Sequence, residues 1–286
     1  MNNDSTMQGK ICLITGANSG VGKATSLALA RMGATVVMVS RDAARGEEAL
    51  KEVQAHSDNQ NVHLLQADLS SQQSIRALVE QFQQQFSQLH VLINNAGVFP
   101  LGRRESVDGL EMAFAVNYLA PFLLTNLLLD TLKASAPARI VNVSSDSHEQ
   151  GYINMDDLQS KQGYSLYKVY GQSKLALVLF TYELARRLEG TGVTVNALHP
   201  GFVATNIAQR DLGPFLRLIA RVVMLFGISP EEGAKTSVYL ASSPDVEGVT
   251  GKYFVKSAPR RSVAISYDEA LQQRLWEESV KLTHLS

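Results

Sequence analysis

Ile11-Cys12-Leu13-Ile14-Thr15-Gly16-Ala17-Asn18-Ser19-Gly20-Val21-Gly22 decides the fold. The first five residues form a short apolar and β-branched run, the pattern of a strand buried on both faces. The rest spaces its glycines as T-G-x-x-x-G-x-G and leads into the helical period of residues 22–31. Glycine at a strand-to-helix turn permits positive φ and close backbone approach, and the amides of the helix start attract an anion. Glycine spacing alone also fits an ordinary tight turn; the strand before it and the helix after it favour a pyrophosphate cradle.

Outward from that loop, the same alternation continues. Strands are expected at 10–15, 35–40, 62–66, 91–94, 139–144, 194–199 and 252–255, with helices at 22–31, 42–54, 72–86, 109–132, 167–188 and 230–241. Repeated βα units cross over right-handedly, so the expected fold is α/β, a Rossmann-type doubly wound parallel sheet of about seven strands with helices on both faces. No linker or repeat divides the chain, which reads as a loose leader at 1–9 and a single domain at 10–286. Two segments break the rhythm: a polar, glycine-punctuated loop at 146–166, and an insertion at 206–228 whose second half is apolar. Ser266 and Glu269 have the spacing of a capping box, opening a last helix packed on the body or on a second subunit.

Composition removes several classes of function. With 26 basic against 27 acidic residues among 286, no patch of one sign recruits nucleic acid. Cys12 has no partner, so neither a disulfide framework nor a thiolate zinc site is expected, and six scattered histidines make no metal motif. The apolar runs fall short of a bilayer span, residues 1–9 lack the pattern of a signal peptide, and a cytoplasmic location is expected.

Two positions carry the chemistry. Ser40-Arg41 stands after the second strand, where an acid would hold a ribose 2′-hydroxyl; arginine can instead grip a 2′-phosphate, which favours NADP(H) over NAD(H). A surface arginine paired with Asp42 is the simpler alternative. A tyrosine four residues before a lysine puts phenol and ammonium on one helical face. Two such pairs occur, Tyr164 with Lys168 and Tyr170 with Lys174. The second is favoured because Leu175 to Phe180 is apolar throughout, so Lys174 sits on a buried helix and needs a partner or ligand.

These motifs, with Asp68-Leu69, Asn94-Asn95-Ala96-Gly97, Asn117, Val141 to Ser145 and His199 to Thr205, resemble in order and spacing the classical short-chain dehydrogenase/reductase superfamily. Within it the chain is similar to the retinol dehydrogenase and WW-domain oxidoreductase branch. The resemblance implies catalytic roles for Asn117, Ser145, Tyr170 and Lys174: Ser145 binding the substrate oxygen, Tyr170 donating its proton, Lys174 lowering the tyrosine pKa and holding the nicotinamide ribose, Asn117 holding a relay water. It implies cofactor contacts from Gly16, Asn18, Ser19, Gly20, Val21, Gly22, Arg41, Asp68, Leu69, Asn95, Ala96, Gly97, Pro200, Gly201, Val203 and Thr205, and a homo-oligomer. Ser144 stays open as an alternative to Ser145, His199 as a turn former, and Asn117 and Asn142 as structural amides.

The expected function is hydride transfer between a nicotinamide and a carbonyl or alcohol. The apolar face of the 206–228 insertion predicts a retinal-like, steroid-like or long-chain apolar substrate. The alternatives are a cofactor-sensing protein without turnover and, less favoured than a substrate lid, peripheral membrane contact through 214–228.

Overall fold

Alternation along β1 (Ile11–Thr15) explains the layers of the computed structural model, which describes residues 6–202 and 227–285. Cys12 and Ile14 point into one apolar cluster and Leu13 into another, so both faces of the strand are buried. Around it lie α1 (Gly20–Arg31), β2 (Thr35–Ser40), α2 (Ala43–Ser57), β3 (Val62–Gln66), α3 (Gln72–Gln85) and β4 (Val91–Asn94). Then come α4 (Met112–Phe114), α5 (Ala120–Leu127), α6 (Leu129–Ala134), β5 (Ala138–Val143), α7 (Leu166–Arg187), β6 (Val193–His199), α8 (Pro230–Ser242), β7 (Tyr253–Val255), β8 (Ala258–Arg260) and α9 (Glu269–Leu282).

The sheet runs β3-β2-β1-β4-β5-β6-β7-β8, parallel except for the last pair. Strand order reverses between β1 and β4, which opens a crevice at their carboxyl ends, where ligands bind in such sheets. Helices α1, α2 and α8 pack on one face, and α3, α5 and α7 on the other.

Three details differ from the sequence expectation. The first is β8, an eighth strand added through Lys256 and Ser257, both at positive φ. Its three residues are exposed and include Pro259, so no apolar alternation announced it. Second, the helix expected over 109–132 is broken: it starts at Met112, opens into a π turn at Ala115–Leu119, and breaks again at Leu128. Pro121 has no N–H to return to the Asn117 carbonyl four residues earlier, which loosens the helix there. Third, Asp268, not Ser266, caps α9 by accepting from the Leu271 amide; Ser266 is buried and donates to Val263 O. The insertion at 206–228 lies outside the described residues except for Gly227 and Ile228, as do Val203 and Thr205.

Helix α9 packs on the body. Trp276 stacks on Phe180 and meets Phe122 edge-on at 4.9 Å, and the Arg187 guanidinium lies 4.1 Å over its ring. Cys12 is a buried free thiol, its pKa pushed up to about 12 by burial. Among the described residues, no helix is long and apolar enough to cross a membrane.

Candidate active site

The glycine loop is shaped by contacts with the end of β4. Thr15 Oγ1 accepts from the amides of Asn95 and Ala96, both at 3.0 Å, and Asn95 Nδ2 donates to Thr15 O at 2.8 Å. Gly16 (φ +65°) has no room for a side chain, since a Cβ would stand 2.9 Å from Ala96 Cα. A Cβ on Gly22 would meet Gly16 O at 2.4 Å. Helices α2, α3, α8 and α9 each start under a capping side chain, from Asp42, Ser71, Ser229 and Asp268. At α1, Ser19 makes no side-chain cap, and Gly20 (φ +55°) and Val21 follow it directly. Its first-turn amides and the tight glycine cradle fit a dinucleotide pyrophosphate.

The adenosine side of the crevice is less committed. Arg41 is exposed beyond β2, while Asp42 accepts from the Arg45 amide and caps α2. The Asp68 carboxylate turns back to Ser70, accepting from its amide and hydroxyl, and Leu69 packs partly buried against the core. Asn18 borders the glycine loop, half-buried.

At the ends of β5 and β6 the proton-handling groups meet. Lys174 is 4% exposed, donates from Nζ to Val143 O at 2.9 Å, and holds Nζ 5.7 Å from the Tyr170 ring centroid. Burial pushes the lysine down to about 8 and the phenol up to about 12. A hydrogen bond with Ser145 draws the phenol back toward ionisation, and the Asp146 charge opposes it. Ser145 is half-buried and donates to Asp146 Oδ1, whereas Ser144 is buried and donates to Lys174 O. Of the two serines, Ser145 therefore stands beside the phenol. A Cβ on Gly97 would stand 3.5 Å from Asn117 Oδ1 and 3.6 Å from Lys174 Nζ, so these three residues share one wall.

Asn117 is fully buried and its carboxamide is committed. Oδ1 accepts from the Val98 amide, and Nδ2 donates to Val98 O and Ser173 Oγ. The side chain is a strut between the segment after β4, the π turn and α7. His199 accepts through Nδ1 from the Asp146 amide and ties β6 to the loop after β5; Pro200 and Gly201 follow half-buried, with Gly201 against Ile228.

The other tyrosine–lysine pair does not form a site. Helix α7 begins at Leu166, so Tyr164 lies outside it, its hydroxyl 3.5 Å from Pro100 O, and Lys168 is exposed.

Three contributors escaped sequence reasoning. Phe99 meets Tyr170 edge-on with centroids 4.9 Å apart and Tyr167 at 6.0 Å; its place two residues after Gly97 was the available signal. Gln172, two residues after Tyr170, pins the 146–166 loop by accepting from Asn154 N and donating to Leu158 O. His148, near the start of that loop, is buried, bonded to Ser145 O and packed against Tyr253.

A family model described as short chain dehydrogenase matches residues 10–212. Retinol dehydrogenase 14 of Mus musculus is 49% identical, the match covering 96% of this chain and 85% of that protein. Polyprenol dehydrogenase of Homo sapiens is 42% identical, with 96% and 85% covered. Among solved structures, an uncharacterized protein from Mycobacterium paratuberculosis has a TM-score of 0.78 at 34% identity, covering 97% of this chain and 94% of its own. The RhlG/NADP active-site complex of Pseudomonas aeruginosa has a TM-score of 0.71 at 28% identity, with 89% and 97% covered.

Proposed function

The chain belongs to the short chain dehydrogenase family, and from that membership we propose an NADP-dependent oxidoreductase that moves a hydride between the nicotinamide and a carbonyl or alcohol group of an apolar substrate. Its activity class is that of an NAD(P)-dependent oxidoreductase acting on CH–OH groups. The observation that carries the reading is the meeting of Ser145, Tyr170 and Lys174 at the strand ends that continue from the glycine cradle.

When bound, the nicotinamide supplies or accepts the hydride at the carbon that bears the oxygen. The chain's own residues manage that oxygen. The Tyr170 phenol, held protonated by burial, is a donor to the oxygen as negative charge develops there. Ser145, beside the same phenol, orients the oxygen from a second side. Lys174 lies close enough to favour the phenolate left after donation, and even lowered to about 8 it stays mostly charged near neutrality.

NADP preference is supported by Arg41 in place of an acid, with Asp42 engaged as a helix cap. The apolar substrate is supported by Phe99 and by the exposed ring of Tyr167 beside Tyr170, and by retinol and polyprenol, the apolar alcohols that name two relatives.

Titration of NADPH and NADH into wild type and Arg41→Ala tests the cofactor reading. The expected wild-type preference is about ten- to a hundredfold for NADPH, the worth of charged hydrogen bonds to the phosphate, and it should collapse in the variant. NADPH absorbance over a homologous aldehyde series should show kcat/KM rising with chain length. A flat series defeats the apolar reading, and cofactor binding without turnover on any aldehyde, ketone or alcohol would leave a sensor.

A further inference from the structure

Glu111 has 0% exposure and stands away from the reacting groups, yet it touches both segments that frame them. Its carboxylate accepts from the Ala113 amide at 3.0 Å and the Phe114 amide at 2.7 Å, capping α4 with both oxygens engaged. Its own amide donates to Gln159 Oε1 at 2.7 Å, and Gln159 O accepts from Arg103 Nε. Burying a carboxylate is costly unless it is hydrogen-bonded or paired. The helices α2, α3, α8 and α9 are capped by short, more exposed aspartate or serine residues. A two-pronged, inflexible cap has a special use here because α4 runs for only three residues before the π turn that carries Asn117.

From that turn the contacts lead directly to the site. Asn117 holds both the amide and the carbonyl of Val98, whose neighbours are Gly97, on the wall with Lys174, and Phe99, edge-on to Tyr170. On the other side, Gln159 belongs to the loop that Gln172 pins to α7 two residues after Tyr170. We infer that Glu111 is a positioning residue for the reaction: its carboxylate fixes the start of α4, and through Asn117 and Val98 it holds the Gly97–Phe99 segment in register with Tyr170 and Lys174. The inference rests on the oxidoreductase reading for its effect on turnover.

Glu111→Gln keeps the size but turns an N–H₂ toward one of the two amides. Glu111→Asp keeps the charge in a residue suited to capping. Each variant is compared with wild type by thermal melting, by fluorescence titration with NADPH, by kcat and KM with decanal, and by amide hydrogen exchange over residues 96–100 and 112–118. For Glu111→Gln the expected result is a kcat about 10- to 100-fold lower, as misplaced reacting groups produce. NADPH affinity and decanal KM stay near wild type, and exchange is faster at Val98 and the π turn. Glu111→Asp recovers most of kcat and of the exchange protection. A Glu111→Gln enzyme with wild-type kcat and exchange overturns the inference. So does a loss in both variants that is shared by melting, NADPH affinity and KM, since that describes a general scaffold defect. If wild type binds NADPH but turns over no substrate, the oxidoreductase reading fails by itself, and exchange decides on Glu111: loosening confined to the two segments supports positioning, and unchanged exchange overturns it.

Discussion

Tyr164 with Lys168 and Tyr170 with Lys174 have identical spacing, lie six residues apart, and have opposite surroundings. The first pair straddles the start of α7, with its tyrosine in the loop and its lysine exposed. The second lies inside the helix, where the ammonium donates to Val143 O and Ser145 stands beside the phenol. Burial raises the Tyr164 phenol as well, with the Glu111 charge adding to it, but no lysine stands over that ring among the described residues. Spacing offers a pair; the packing around it decides whether the two groups can share a proton-transfer task. Each substitution below sets one pair against the other.

The largest expected contrast is between the two tyrosines. Tyr170→Phe should lower turnover by about 10²- to 10⁴-fold, the worth of a positioned proton donor, while NADPH binding persists. Tyr164→Phe should leave kcat close to wild type. Steady-state kinetics of both variants decides the matter, and the reverse pattern would move the active tyrosine into the loop.

The lysines should differ next, in stability as well as activity. Lys174→Met should cost turnover yet raise the melting temperature at pH 7. A buried lysine lowered from 10.5 to about 8 protonates more readily in the unfolded chain, so folding bears a penalty that is complete below pH 8 and fades as pH rises toward 10.5. The shift corresponds to a penalty on the order of 3 kcal/mol, and losing the Val143 hydrogen bond offsets about 1 kcal/mol of the gain. The advantage of the methionine variant should therefore shrink steadily between pH 8 and 10 in thermal melts. A gap independent of pH would show that Lys174 is not held in an apolar setting.

The smallest effect is expected from Lys168→Met, an exposed position, where melting and kcat should both stay near wild type. A strong loss there would mean that the outer pair touches substrate.

The same contrast shows what was legible. The apolar run after Lys174 marked the inner pair in the sequence, because burial along a helix follows local composition. Glu111 is buried along with Leu110, Ala113 and Phe114, but its partners were not legible, since they are amides freed by a helix start and a glutamine 48 residues later. Between Ser144 and Ser145 the family resemblance favoured the second while the residues themselves left the first open; in the structure Ser144 is engaged by Lys174 O and Ser145 stands beside the phenol.

The sequence by itself determined the βα order, the parallel sheet, the glycine cradle and the family to which the chain belongs. Each of these is written in short-range terms: period-2 and period-3.6 burial, glycines at positive φ, and motif residues within a few positions of one another. The tertiary structure decided the rest. It added β8 through two residues of positive φ, opened the π turn at Asn117, committed that carboxamide to Val98 and Ser173, set Phe99 against Tyr170, and laid α9 over Phe122 and Phe180. These contacts join positions up to 154 residues apart, Phe122 and Trp276 among them. Periodicity reports which face of an element is buried but not which side chain meets it there, and that depends on how the whole sheet brings its strand ends together.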